Sequence, residues 1–149
     1  MKRTGLYVHV PFCVHKCSYC DFVSYSGREA LYARYVAAVL AELAQRLPTW
    51  TDASAHPWRL DTLFVGGGTP TVLPSDALCR LIAAIRPHLT ADAEITMEAN
   101  PGTVDAASLD ALRQAGVNRL SLGVQSLDSA LLRLLGRVHS AAEAVAACR

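Results

Sequence analysis

Short apolar runs alternate with longer amphipathic segments along the 149-residue chain. The short runs are typical of buried strands, and they predict strands at 6–10, 60–65, 94–98 and 119–124. The longer segments repeat apolar residues at helical spacing, and they predict helices at about 28–47, 75–86, 105–115 and 128–135, with a last helix from 140. Strands and helices therefore follow one another in a β-α-β-α order.

Residues that interrupt regular structure support these boundaries. Pro11 stops the first strand, Pro48 ends the first helix, and Gly116 supplies the left-handed residue favoured after a helix. Ser140 and Glu143 have the spacing of a capping box at the start of the last helix. The apolar stripe of the first helix comprises Leu31, Tyr35, Val39, Leu43 and Leu47. We predict a loop over 49–59.

Strands that alternate with helices form a parallel sheet, so the fold class is α/β. Such a sheet needs helices on its faces, and the pattern leaves open whether it is doubly wound or closes into a barrel. The chain is shorter than the ~250 residues of a typical eight-fold barrel. We therefore expect one domain or a fragment of a larger one.

Composition and charge exclude several classes of function. No apolar run approaches the ~20 residues of a membrane-spanning helix, and the N-terminus lacks the pattern of a secretory signal. We expect a cytoplasmic protein that does not cross a membrane. The net charge is +1, and the 14 basic residues are scattered along the chain, so no nucleic-acid partner is expected.

Three of the five cysteines, Cys13, Cys17 and Cys20, form a C-x3-C-x2-C loop after the first strand. In a reducing compartment this spacing indicates metal or redox chemistry rather than disulfides. Three thiolates can hold three irons of a [4Fe–4S] cluster and leave the fourth open to an external ligand. The alternative is a zinc site completed by His15 or His9.

Other functional candidates also follow predicted strands. The triple glycine 66–68 comes after the second strand, Glu98 ends the third and Gln125 ends the fourth. The carboxyl ends of parallel strands share one edge, so these features predict a single site. The glycines lack the sequels of nucleotide-phosphate loops and favour close approach to a ligand or a tight turn. The Glu98 carboxylate could accept hydrogen bonds from a ribose diol or form a salt bridge at the rim of the site. The Arg137 guanidinium could bind a carboxylate through two hydrogen bonds or be an ordinary surface arginine.

Four motifs occur in order: P-F-C-V-H-K-C-S-Y-C-D-F, V-G-G-G-T-P-T, E-I-T-M-E-A-N-P-G and R-L-S-L-G-V-Q-S. Together they resemble the oxygen-independent coproporphyrinogen III oxidase-like family of radical S-adenosylmethionine (SAM) proteins. The resemblance implies a partial (β/α) TIM-like barrel. It also implies that residues 1–149 are the N-terminal part of that core, with about four βα units.

The resemblance further implies the cofactors and their ligands. Cys13, Cys17 and Cys20 would bind a [4Fe–4S] cluster, and the amino and carboxylate groups of SAM would bind its fourth iron. Reduction of the cluster would then cleave SAM to methionine and a 5′-deoxyadenosyl radical. The residues that match SAM-binding positions of the family are Tyr7, Tyr19, Gly67, Gly68, Thr69, Glu98, Gln125 and Arg137.

One position distinguishes two branches of this family. The decarboxylase branch, which carries out coproporphyrinogen III oxidation, has a fourth cysteine two residues after the third, where this chain has Phe22. The sequence Cys20-Asp21-Phe22 instead resembles the haem chaperone branch, HemW. This resemblance implies haem or a porphyrin as a ligand. A haem-accepting protein and an electron donor are the implied partners. None of the histidines is assigned as a haem ligand.

Overall fold

The computed structural model describes residues 4–50 and 58–149. In the order of the chain, the strands and α-helices of these ranges are β1 Gly5–Val10, α1 Tyr32–Arg46, β2 Leu60–Gly67, α2 Ser75–Ile85, β3 Leu89–Ala99, α3 Ala106–Ala115, β4 Arg119–Leu122, α4 Ser129–Leu134 and α5 Ala141–Ala147. Most of the loop predicted at 49–59 lies at 51–57, outside the described residues.

The four strands form one parallel sheet in the order β1-β2-β3-β4. Val8 of β1 is paired with Val65 of β2, which in turn is paired with Met97 of β3. This pairing brings the carboxyl ends of all four strands to the same edge of the sheet. The prediction of an α/β fold with parallel strands is therefore confirmed.

The hydrophobic core lies between one face of the sheet and α1, α2 and α3. Alternate strand residues reach this face, because successive side chains of a strand point to opposite sides. The strand residues of the core include Val8, Val10, Leu63, Val65, Ile95 and Met97. The buried face of α2 comprises Ala77, Leu78, Leu81, Ile82 and Ile85.

The other face of the sheet carries mixed and partly exposed side chains. They include Tyr7 and His9 of β1, Phe64 of β2 and Glu98 of β3. The Tyr7 and Phe64 rings lie 5.9 Å apart, and the Tyr7 hydroxyl bonds His9 Nδ1 at 3.0 Å. This face leads to the carboxyl edge of the sheet, where the functional candidates lie.

Three expectations of detail were wrong. β3 begins at Leu89 rather than at 94, because Leu89 pairs with Leu60 before an irregularity in the register. The sequence from 90 to 93 is poor in strand-forming residues and hides this extension. β4 ends at Leu122 rather than at 124, since the chain then coils through short turns. Leu31 is exposed, and Val36 of α1 is buried instead.

Helix ends follow the predicted chemistry. Gly116 ends α3 with a φ of 114°, a left-handed conformation that glycine adopts without a Cβ penalty. Ser140 caps α5, and its hydroxyl accepts a hydrogen bond from the Glu143 N–H while the Glu143 carboxylate binds the Ser140 N–H. The capping box predicted from the spacing of these two residues is confirmed.

Shortening a core leucine of α2 tests the position of the core. Leu81→Ala should lower the free energy of unfolding by about 2–5 kcal/mol, because Leu81 is 1% exposed and its loss leaves a cavity. Leu134→Ala in α4 is the matched control, since Leu134 is 76% exposed and its truncation should cost under about 1 kcal/mol. Urea unfolding of both variants measures the difference. Equal losses would contradict this placement of the core.

Candidate functional site

The carboxyl edge of the sheet surrounds a cavity of about 400 Å³. All of the predicted site residues except Tyr7 line it. They are Cys13, Cys17, Tyr19, Cys20, Gly67, Gly68, Thr69, Glu98, Gln125 and Arg137. The cysteine loop, the glycine turn and the ends of β3 and β4 thus converge, as the order of strands predicts.

The cysteine loop is closed at its base by backbone hydrogen bonds. The Cys13 N–H donates to the Tyr25 carbonyl at 3.0 Å, and the Tyr25 N–H donates to the Pro11 carbonyl at 2.9 Å. The buried Phe12 ring packs against Tyr32 and Tyr35 of α1, with ring centroids 4.8 Å and 5.2 Å apart. These contacts hold both ends of the loop on the domain while its middle faces the cavity.

The three thiols of the loop are free and differ in burial. Cys13 is buried, whereas Cys17 and Cys20 are half-buried. A tight turn joins the second and third cysteines, with the Cys20 N–H donating to the Cys17 carbonyl at 3.2 Å. Within 4–50 and 58–149, no three His, Cys, Asp or Glu side chains gather closely enough to hold a single metal ion.

The glycine turn at the end of β2 has no room for side chains. A Cβ on Gly68 would lie 2.5 Å from the Phe12 carbonyl oxygen and 2.9 Å from Cys13 Sγ. Gly67 has a φ of 116°, which only glycine adopts readily. The turn is tied to the first strand, since the Gly68 N–H donates to the Val10 carbonyl at 2.8 Å. Backbone therefore approaches the cysteine loop directly.

Glu98 organises this turn as well as facing the cavity. Its Oε2 accepts a hydrogen bond from the Gly67 N–H at 2.9 Å. A Cβ on Gly66 would lie 2.7 Å from the same oxygen. The carboxylate also acts on the neighbouring phenol of Tyr7, whose pKa is raised by burial and then by the negative charge of Glu98. Glu98 is thus the acidic group of the site.

A chain of polar side chains crosses the floor of the cavity and ends on two of the thiols. Thr69 Oγ1 lies 3.6 Å from Cys13 Sγ, and Asn100 Nδ2 donates to Thr69 Oγ1 at 2.9 Å. Asn100 Oδ1 accepts from the Arg137 guanidinium, which also donates to Cys17 Sγ at 3.4 Å. We call Thr69, Asn100 and Arg137 the polar relay.

Asn100 is a residue that the sequence reasoning missed, although it stands in the third of the four motifs. Its signal was its place directly after β3, beside Glu98, where a polar side chain reaches the same edge as the other candidates. Pro101 follows it, and the Thr103 hydroxyl contacts its backbone N–H at 3.1 Å, so its position is well defined.

Gln125 reaches the cavity from a strained backbone. Its φ of 67° is left-handed, and among the described residues other than glycine it alone has a positive φ. Residues held in such conformations cluster at functional sites. The strain follows from the sharp turns after β4, where the Ser126 N–H bonds the Val124 carbonyl at 2.8 Å.

The two tyrosines occupy different places. Tyr19 is in the cysteine loop and lines the cavity, and burial raises its pKa while the charge of Arg137 opposes that rise. Tyr7 lies outside the cavity lining, on the mixed face of the sheet beside His9. Its assignment to a SAM site stays a prediction.

The histidines considered as zinc ligands are also separated. His15 lines the cavity with the thiols. His9 does not, because its Nδ1 bonds the Tyr7 hydroxyl and its Nε2 bonds the Val23 carbonyl at 2.8 Å. Both ring nitrogens of His9 are therefore hydrogen-bonded to protein atoms. The alternative of a zinc site consequently depends on His15 as the fourth ligand.

The site fits an iron–sulfur cluster with a bound small molecule better than a single ion. The donor set is three thiols on one anchored loop, which is a common way to hold an iron–sulfur cluster. The backbone at Gly68 lies so close to this loop that a Cβ there would come within 2.9 Å of Cys13 Sγ. Arg137 Nε is buried without a hydrogen-bond partner, so one N–H donor beside the loop is unpaired.

Comparison with known families and proteins shows what this chain is similar to. The family profile described as "Radical SAM superfamily" matches residues 7–149. The chain is 44% identical to "Heme chaperone HemW" of Escherichia coli (strain K12) over 97% of this chain, and 39% identical to the protein of that name in Haemophilus influenzae over 96%. The chain spans 38% of the length of each of these relatives.

A solved structure gives the same answer at the level of the fold. The radical SAM enzyme coproporphyrinogen III oxidase (HemN) of Escherichia coli superposes with a TM-score of 0.86 and 33% identity. The match covers 98% of this chain and 33% of that one. The expectation of a partial TIM-like barrel with outer helices is thereby confirmed.

Proposed function

Because the chain belongs to the radical SAM superfamily, we propose that it is the cluster- and SAM-binding part of a haem chaperone. Members of the superfamily carry a [4Fe–4S] cluster and bind SAM. The observation that carries the proposal is the three-thiol loop at the mouth of a cavity whose other walls are the glycine turn, Glu98 and Arg137. That the chain is the N-terminal part of a longer core belongs to the same proposal.

In this proposal Cys13, Cys17 and Cys20 hold the cluster. When bound and reduced, the cluster supplies the electron that cleaves SAM. Gly67 and Gly68 let SAM approach the backbone, and the Glu98 carboxylate offers an acceptor for a ribose hydroxyl. Tyr19, Thr69, Gln125 and Arg137 complete the walls of the SAM site. Tyr7, which lies outside this cavity, is kept as a SAM contact only on the family resemblance.

Phe22 supports the chaperone branch over a decarboxylase. It stands where the decarboxylase branch has a fourth cysteine, and it lines the cavity with 60% of its surface exposed. Its carbonyl accepts a hydrogen bond from Lys16 Nζ at 3.3 Å. The site therefore presents an apolar ring at this position and no additional thiolate. The relatives at 44% and 39% identity carry the name heme chaperone.

Haem binding is the direct test of this branch. Titration of haem into the anaerobically purified, full-length protein should give a saturable shift of the Soret band, with one equivalent bound at saturation. A parallel titration of haem into buffer without protein gives the baseline of free haem. A shift that rises linearly without saturation would contradict the chaperone function.

The runner-up is oxidation of coproporphyrinogen III, favoured by the structural match to the Escherichia coli oxidase. Anaerobic incubation with coproporphyrinogen III, SAM and a reductant distinguishes the two functions by product analysis. Formation of protoporphyrinogen would favour this alternative.

A third alternative is a zinc-stabilised domain without redox chemistry. For such a domain, metal analysis would find zinc without iron or sulfide.

The partners follow from the chaperone proposal. Haem is the ligand, a haem-accepting protein receives it, and an electron donor reduces the cluster. Among the described residues, no helix is long and apolar enough to cross a membrane. A cytoplasmic location remains part of the proposal.

A further inference from the structure

The polar relay of Thr69, Asn100 and Arg137 joins two cluster thiols through side chains from three different parts of the fold. Thr69 follows β2, Asn100 follows β3 and Arg137 follows α4. Thr69 is 3% exposed, and Arg137 Nε is fully shielded from solvent. The Thr69 contact with Cys13 is buried and the bonds of Asn100 and Arg137 are partly buried, so water competes less for these groups than for exposed ones.

The direction of each hydrogen bond follows from the Arg137 end. A guanidinium can only donate, so the atom of Asn100 that faces it is the carbonyl Oδ1. The amide Nδ2 must then face Thr69, and an amide nitrogen only donates. Thr69 Oγ1 accepts this bond, which leaves its own hydrogen available for Cys13 Sγ at 3.6 Å. The relay therefore donates at both ends.

Both terminal nitrogens of the Arg137 guanidinium donate hydrogen bonds to protein atoms. Its Nη2 donates to Asn100 Oδ1 and, at 2.6 Å, to the Gly123 carbonyl, while Nη1 donates to Cys17 Sγ at 3.4 Å. The Gly123 carbonyl belongs to the turn after β4, so the guanidinium is held from two sides. Its position beside Cys17 is thus determined before any ligand binds.

From these contacts we propose that Asn100 is a positioning residue that raises the reduction potential of the cluster. It orients the Thr69 hydroxyl toward Cys13 and the Arg137 guanidinium toward Cys17. Hydrogen bonds to the sulfurs stabilise the additional negative charge of the reduced cluster more than the oxidised form, and they are a known determinant of cluster potential. The inference rests on the proposed function, because it needs Cys13 and Cys17 as cluster ligands.

Redox titration monitored by EPR tests this on the cluster-reconstituted protein. Thr69→Val removes the hydroxyl but keeps the side-chain shape, and Asn100→Leu removes the amide without adding charge. Both variants should shift the midpoint potential to more negative values, whereas Thr69→Ser should retain the wild-type potential. Thr96→Val is the matched control, since Thr96 is a buried threonine whose hydroxyl donates to Glu94 at 2.7 Å, away from the thiols.

The double variant Thr69→Val/Asn100→Leu tests whether the two residues act in series. Its shift should be smaller than the sum of the single shifts, because Asn100 acts on Cys13 only through Thr69. A fully additive shift would overturn the relay.

Potentials of Thr69→Val and Asn100→Leu equal to that of Thr96→Val would also overturn the inference while leaving the proposed function intact. The inference would also be overturned if Thr69→Val and Asn100→Leu failed to assemble a cluster while Thr69→Ser and Thr96→Val assembled one. The relay would then be needed for cluster assembly rather than for the reduction potential. Absence of a cluster in the wild-type protein would instead defeat the proposed function and this inference together.

Discussion

Cys17→Ser is expected to abolish the visible absorbance of the iron–sulfur cluster and to remove most of its bound iron and sulfide. Serine keeps the size of the side chain but replaces the thiolate, which is the ligand that iron in such clusters requires. Cys17 sits in the middle of the three-thiol set and receives the Arg137 hydrogen bond. Absorbance spectra and iron and sulfide analysis after anaerobic reconstitution measure the loss.

Cys148→Ser is the matched control for this prediction. Cys148 is an exposed thiol at the end of α5, outside the cavity lining. Its replacement should leave iron, sulfide and absorbance unchanged. Cluster retention by Cys17→Ser at the level of this control would exclude Cys17 as a ligand and would remove the basis of the site.

Gly68→Ala should weaken SAM binding by about 5- to 150-fold, the equivalent of the roughly 1–3 kcal/mol that overpacking costs. The new Cβ would collide with the Phe12 carbonyl oxygen at 2.5 Å and with Cys13 Sγ at 2.9 Å. A backbone atom cannot yield as a flexible side chain does, so the glycine turn and the cysteine loop must move apart. Equilibrium binding of SAM to the reconstituted protein measures the effect.

Gly102→Ala provides the comparison, because a Cβ at Gly102 meets no atom within 4 Å. It adds the same methyl group to a turn at the same edge of the sheet and should keep wild-type SAM affinity. Similar affinities for the two alanine variants would show that close packing at Gly68 is not needed for the site.

Several elements could be read from the sequence because their signals are local. Each signal depends on residues within one element: the apolar runs of β1 and β2, the four-residue spacing in α1 and the capping box at Ser140. The extension of β3 to Leu89 could not be read in this way. It depends on pairing with Leu60 across the sheet, which compensates for residues with little intrinsic preference for strands.

The site shows the same division. The cysteine spacing indicates a cluster loop because the three thiols are close in the chain, and the glycine turn is visible for the same reason. Asn100 belongs to no short spacing of this kind and has only its place after β3 as a signal, because its partners Thr69 and Arg137 lie 31 and 37 residues away. The hydrogen bond from Arg137 to Cys17 spans 120 residues.

By itself the sequence determined the order of strands and helices and the parallel sheet, and its cysteine spacing predicts the cluster-binding loop, since periodicity and short spacings encode these features. Only the tertiary structure decided that Thr69, Asn100 and Arg137 form one relay between two thiols, and that His9 bonds Tyr7 and Val23 outside the cavity lining. The physical reason is that hydrogen bonds act over about 3 Å. Whether distant residues come within that range depends on the register of the sheet and on the turns after its strands.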